Sequence, residues 1–234
     1  MKLGILGGTF DPIHLGHLRS AEEIGQYLAL EKVYLIPSAQ PPHKSESPIT
    51  PFGHRLAMTR MGTDCSPLLE TMDLEGKRPG FSYSIETLRE LHQIFGPSTE
   101  LFFILGTDAF LEIKTWRDHK RLFDYAHFVI LHRAGCEDRE LRNIFSDLGI
   151  KAAEKGAENQ FVAPSGNAII LITPTRMEIS STNIRNMVKD DKSIRFLVPE
   201  TVRVYIVEKG LYLNDDSHGK SKTLPGNHSG KKSC

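Results

Sequence analysis

The sequence predicts a doubly wound α/β fold built around a parallel sheet, and three features carry that prediction. Short, almost wholly apolar runs rich in β-branched residues recur at 3–6, 33–36, 101–105, 128–131 and 168–172. Runs without polar alternation suit strands covered on both faces. Between them the apolar period lengthens to that of a helix. Leu18, Ala21, Ile24 and Leu28 share one face of a segment from about 17 to 30, and Ile85, Leu88, Leu91 and Phe95 do the same after Tyr83. Strand and helix then alternate almost from end to end, which calls for right-handed crossovers between parallel strands.

The remaining elements follow in order. Residues 135–166 are polar and rich in Glu, Lys and Asn, so they read as a surface insertion, with a helix expected around 138–148. Pro199, Val202, Tyr205 and Ile206, followed by Lys209 and Gly210, predict a final helix with proline at its start and a glycine stop. Residues 211–213 close the fold. The tail 214–234 has almost no apolar content and is expected to be disordered. The reading is therefore one domain over 1–213, without internal repeats.

Composition narrows the function. With 39% hydrophobic and 25% charged residues, the 234-residue chain is long enough to bury a sizeable core. Its 29 basic residues balance 29 acidic ones, so nothing drives general nucleic-acid or membrane-surface association, and an anion site has to be local. Three widely spaced cysteines, Cys65, Cys136 and Cys234, suit neither a disulfide framework nor a zinc ribbon. No apolar run is long enough for a membrane span, and Gly7 and Gly8 interrupt the N-terminal stretch too early for a signal core. The cytoplasm is the expected compartment.

The densest chemical signal is GGTFDPIHLGH at 7–17, directly after the first predicted strand. In an open α/β sheet, ligands bind beyond the carboxyl ends of the strands, where the next helix presents unpaired N–H groups to an anion. Gly7 and Gly8 allow close approach to the backbone, and Gly16 removes a Cβ where the helix begins. His14 and His17, three apart, can face the same side and donate to phosphate oxygens. Each part has a plainer alternative: a glycine pair often only turns the chain, and paired histidines can hold a metal. The loop is neither a Walker loop nor a GxGxxG fingerprint. Near the other end stands ISSTNIR at 179–185. Any one of Ser180, Ser181 and Thr182 would serve as an ordinary N-cap. The whole string offers more, because a second helix start with spare hydroxyls and Arg185 one turn in can grip phosphates.

Together the two strings resemble the HxGH nucleotidyltransferase superfamily, which shares its HxGH element with class I aminoacyl-tRNA synthetases. The chain is short for a synthetase and carries neither a KMSKS-like segment nor an anticodon-binding region. The intermediate motifs resemble the bacterial nicotinate mononucleotide adenylyltransferases. They are PPHK at 41–44, SYSIETL at 82–88, GTD at 106–108, the single tryptophan Trp116, Arg133 after HFVIL, and FLVPETVRVYIVEKGLY near the end of the fold. The resemblance covers nearly all of 1–213. At 133–135 the chain reads RAG where that family commonly has RPG.

The resemblance implies a Rossmann-like nucleotidyltransferase that passes adenylyl from ATP to nicotinate mononucleotide, with Mg²⁺ accompanying ATP. It implies a catalytic set of His14, His17, Lys44 and Arg185. ATP would meet Gly7, Gly8, Thr9 and Phe10, then Gly106 and Asp108, then Ile179, Ser180 and Ser181, besides the two histidines and Arg185. The mononucleotide would meet Tyr83, Thr87, Trp116 and Arg133, with Trp116 stacked on the pyridine and Thr87 at its carboxylate. No carboxylate set suggests a protein cage for the metal, and no RNA-binding motif appears. Pantetheine-phosphate adenylyltransferases and cytidylyltransferases are the nearest rivals, and a nucleotide-binding regulator without catalysis is a more distant one. Acid against amide as the pyridine substituent, and oligomeric state, a homodimer included, stay open.

Overall fold

The computed structural model describes residues 1–41, 49–132, 138–153 and 159–213. Its strands are β1 (Lys2–Gly8), β2 (Lys32–Pro37), β3 (Leu69–Thr71), β4 (Glu100–Gly106), β5 (His127–Leu131), β6 (Lys151–Ala152), β7 (Gln160–Val162) and β8 (Ala168–Ile172). The helices are α1 (Leu15–Tyr27), α2 (Phe52–Thr63), α3 (Ser84–Phe95), α4 (Thr107–Leu111), α5 (His119–Tyr125), α6 (Asp138–Asp147), α7 (Ser181–Lys189) and α8 (Glu200–Glu208). The strands form one sheet in the order β3-β2-β1-β4-β5-β8-β7-β6. Pairings from β3 across to β8 are parallel, whereas the β8–β7 and β7–β6 pairings are antiparallel, so that β7 alone runs against the other strands.

The chain builds outward from β1 on one side and then returns to β4 on the other. β1 and β4 are thus the pair at which the winding reverses, and the crevice at their carboxyl ends is where such a sheet receives ligands. Alternate residues of the central strands feed two cores. Leu3, Ile5, Leu101, Phe103 and Leu105 join Leu88, Leu91, Phe110 and Phe123 on one face. Leu6, Phe102 and Ile104 join Leu18, Ile24, Met58, Ile184, Val202 and Ile206 on the other. This two-sided burial is why the strands read as unbroken apolar runs.

Two departures from the sequence reading have physical causes. The stretch 135–166 is not confined to the surface where the structure describes it. Leu141 and Phe145 of α6, together with Ile150 and Ala163, enter the core, and β6 and β7 extend the sheet. The apolar spacing Leu141, Ile144, Phe145 and Leu148 puts one helix face inward even though the segment is polar on average. The second departure is α2, which the apolar pattern did not announce. Its buried face consists of Arg55, Met58, Thr59, Gly62 and Thr63, with a single large apolar side chain among them. The expected tail 214–234 lies outside the described residues.

Candidate active site

A cleft of about 1150 Å³ opens at the carboxyl ends of β1 and β4. Its wall includes Gly7, Gly8 and Thr9 from the end of β1, Gly16 and His17 from α1, and Ile179 through Thr182 at the start of α7. Farther along stand Tyr83, Thr87 and Trp116, with Gly106 between the two regions. The two helix starts that the sequence sets about 165 residues apart therefore share one cavity, sized for a ligand larger than a drug-like molecule.

His14 and His17 form a reciprocal cap on α1. The backbone N–H of His17 donates to Nδ1 of His14 at 3.4 Å, and that of His14 donates to Nδ1 of His17 at 3.3 Å. The rings stack at 3.6 Å between centroids. Because each Nδ1 accepts, the proton of each neutral imidazole belongs on Nε2. The pair thus brings two donors of fixed tautomer to the cleft wall. A Cβ at residue 16 would lie 3.1 Å from Nδ1 of His14, so glycine there leaves room for the stack.

The start of α7 docks onto the loop carrying this pair. The Ser180 hydroxyl caps the helix by accepting from the Asn183 amide at 3.1 Å, and Ser181 donates to the Pro12 carbonyl at 2.8 Å. Arg185 donates to the Asp11 carbonyl at 2.7 Å and to the Thr182 hydroxyl at 3.2 Å. Part of the ISSTNIR chemistry is therefore spent on joining the two helix starts. Arg185 still faces the cleft.

Beneath the loop lies a residue that sequence reasoning missed. Arg55 is 1% exposed and donates to the carbonyls of Thr9 and Ser38 at 2.7 Å each, Thr50 at 2.8 Å and Ala39 at 3.1 Å. One planar guanidinium thus fixes the ends of β1 and β2 and the chain entering α2. Burial lowers its pKa, and the nearby Asp11 carboxylate opposes that shift. Asp11, also buried, accepts from the Thr50 amide at 3.2 Å and the Tyr212 hydroxyl at 2.7 Å. Asp11 belonged to the recognised motif, whereas Arg55 carried no signal beyond a lone cation in a helix of weak apolar sidedness.

At the other end of the cleft, Tyr83 precedes the first residue of α3 without a capping hydrogen bond from its side chain, and the Arg117 guanidinium lies 4.8 Å from its ring centre. Trp116 is half-buried and meets Phe103 edge-on at 6.3 Å. The Thr87 hydroxyl is buried in a polar cluster, 2.8 Å from Oε1 of Glu75 and 2.7 Å from Nη2 of Arg78. Glu75 also lines the cleft and is another residue the sequence did not single out.

Two expected nucleotide contacts fall outside the cleft wall. The Phe10 ring is 2% exposed and packs edge-on against His17 at 5.1 Å, so this apolar side chain supports the histidine from the core. Asp108, on the first turn of α4, is exposed and does not line the cleft. Lys44 and Arg133 lie outside the described residues. Among the described residues, no group of three or more His, Cys, Asp or Glu side chains is placed to hold a metal ion. Nor, among them, is any helix long and apolar enough to cross a membrane.

Comparison with known proteins agrees with this architecture. The cytidylyltransferase-like family model matches residues 5–187. A protein of Desulfatibacillum aliphaticivorans named "probable nicotinate-nucleotide adenylyltransferase" is 44% identical, over 91% of this chain and 100% of its own length. A Geobacter sulfurreducens protein of the same name is 40% identical over 92% of this chain and 100% of its own. In structure the chain is similar to the nicotinic acid mononucleotide adenylyltransferase of Plasmodium falciparum solved in complex with NaAD. The TM-score is 0.69 with 19% identity, covering 90% of this chain and 97% of the other, a likeness of fold. By its family model and by the extent of its identity to these full-length relatives, the chain belongs to the cytidylyltransferase-like superfamily and, within it, to the nicotinate-nucleotide adenylyltransferase family.

Proposed function

We infer that this chain transfers the adenylyl group of ATP to nicotinate mononucleotide, releasing pyrophosphate and forming nicotinate adenine dinucleotide on the route to NAD. The observation that carries the reading is the convergence of the α1 and α7 starts on one cleft whose far end is aromatic. In the reaction a phosphate oxygen of the mononucleotide forms a bond to the α-phosphorus of ATP, while the bond from that phosphorus to the oxygen bridging to the β-phosphorus breaks. The acceptor phosphate is already anionic, so no side chain has to remove a proton or form a covalent intermediate. Catalysis reduces to holding the partners in line and stabilising charge on the equatorial and leaving oxygens.

The roles assigned to residues follow from that need. His14 and His17 donate through Nε2 to the oxygens of the reacting phosphate. Arg185, with the α7 start and Lys44, takes the leaving pyrophosphate. Gly7, Gly8, Thr9 and Gly106 form the bed of the nucleotide, with Ile179, Ser180 and Ser181 opposite. Trp116 and Tyr83 flank the pyridine, Thr87 stands at its substituent, and Arg133 takes the mononucleotide phosphate. Mg²⁺ accompanying ATP would supply charge neutralisation to the triphosphate. The cytoplasm remains the proposed compartment, on the wide cysteine spacing.

The test is product formation from ATP with nicotinate mononucleotide, nicotinamide mononucleotide and pantetheine phosphate offered in parallel. Dinucleotide formation with preference for the acid supports the reading. Pyrophosphate release with pantetheine phosphate alone would sink it.

A further inference from the structure

Glu75 is a buried ionisable group in the cleft wall to which the reaction above gives no task. It is 7% exposed, its Oε1 sits 2.8 Å from the Thr87 hydroxyl, and its Oε2 is buried without a well-formed hydrogen bond, the Ser82 hydroxyl and the Ala39 amide being the other donors that act on the carboxyl. An anionic oxygen left in that condition is costly, whereas the carbonyl oxygen of a neutral acid tolerates it far better. The surrounding charges point the same way. Arg78, 4.0 Å from Oε1, is paired more closely with Glu90 on α3 at 3.3 Å, and Arg55 on α2 is opposed by the buried Asp11. The two cations facing Glu75 are thus already matched, and an ionised Glu75 would be the surplus charge. Burial raises its pKa more than the Ser82 and Thr87 hydroxyls, Arg78 and the Ala39 amide lower it.

The protonation state of Glu75 decides what the Thr87 hydroxyl offers the cleft. A hydroxyl has one proton and two lone pairs. Arg78 donates into one lone pair at 2.7 Å in either state. If Glu75 is ionised, Thr87 must give it the proton, and only a lone pair is left for a ligand. If Glu75 is neutral it fills the second lone pair, and the Thr87 proton turns from Glu75 to the better placed of two acceptors, a ligand in the cleft or the Tyr83 carbonyl at 3.4 Å. A ring carboxylate needs that donor, while a carboxamide NH₂ needs the acceptor.

We propose that Glu75 is a specificity-determining positioning residue: held as the neutral acid, it turns the Thr87 hydroxyl into a donor and so favours a carboxylate over a carboxamide on the pyridine. This rests on the mononucleotide reading given above. The test measures kcat/KM for nicotinate and nicotinamide mononucleotides side by side and follows their ratio, in which general loss of activity and titration of the shared phosphate cancel. Glu75→Ala should lower the acid-to-amide ratio about tenfold, the scale of one hydrogen bond to a charged group. Glu75→Gln, whose amide donates permanently to Thr87, should keep it. An unchanged ratio in Glu75→Ala, or an equal loss in both variants, overturns the proposal. Should Glu75→Ala fail to fold, the pH profile decides: the wild-type ratio should fall on the alkaline side and that of Glu75→Gln should not, and identical profiles overturn it. If the wild-type protein adenylylates neither mononucleotide, the functional reading itself fails and the proposal falls with it.

Discussion

At the scale of single residues, the site works by spending polar groups on one another before any ligand arrives. His14 and His17 use their Nδ1 atoms to cap α1, which fixes the tautomer and puts the proton of each neutral imidazole on Nε2, the donor atom assigned above to the reacting phosphate. His17→Ala should therefore lower kcat by roughly 10²–10³-fold, the scale for loss of one such donor, with a smaller change in KM for ATP. Steady-state kinetics check this, and near wild-type turnover would remove His17 from the catalytic set. Arg55 makes the complementary point from below. Arg55→Met would leave four partly buried carbonyls without this donor and the buried Asp11 without its nearby cation, so urea denaturation should show a loss of about 3 kcal/mol. The histidines were legible in the sequence because their spacing and neighbours form a motif. Arg55 was not, because a buried arginine and an exposed one look alike until tertiary contacts are known.

At the scale of elements, legibility followed burial. The strands β1, β2, β4, β5 and β8 announced themselves because they are apolar on both faces, and α1 and α3 because their apolar residues fall in one stripe. The three-residue β3 and the short pair β6 and β7 gave no pattern long enough to read, and α2 buries polar and small side chains. Pairing between β5 and β8 also depends on a side chain: Nδ1 of His127 accepts from the Ala168 amide at 2.9 Å. Burial lowers the pKa of His127, and Lys2 adds to that while Glu100 opposes it. The fold therefore prefers the neutral imidazole. That stability is fully present above the ordinary histidine value and is lost as pH falls through it toward the depressed folded value. Thermal unfolding should show the wild-type midpoint falling more steeply than that of His127→Gln on acidification. Parallel curves would show that His127 plays no part in the acid response.

At the scale of the whole molecule, the two ends of the domain are tied beneath the cleft. Tyr212, 201 residues from Asp11 in sequence, donates its hydroxyl to Oδ1 of that buried carboxylate at 2.7 Å. Burial and the Asp11 charge both push the Tyr212 pKa upward, so the phenol stays protonated and remains a donor under physiological conditions. The same short loop gives its Asp11 carbonyl to Arg185 and its Pro12 carbonyl to Ser181, and it runs directly into His14. The last residues of the fold thus bear on the geometry of the loop that leads into α1 and its histidine pair. Tyr212→Phe removes one hydrogen bond to a charged group and should cost about 1.5–3 kcal/mol of stability. It should also lower kcat severalfold, since the Asp11 loop positions both His14 and Arg185. A chain ending at Gly210 should share both defects. One ending at Leu213, which drops only the stretch of low apolar content, should behave as the full chain does. Denaturation and turnover measured on the three variants separate the contributions. If the chain ending at Gly210 matched the full chain in both, the closing contact would have no bearing on the site.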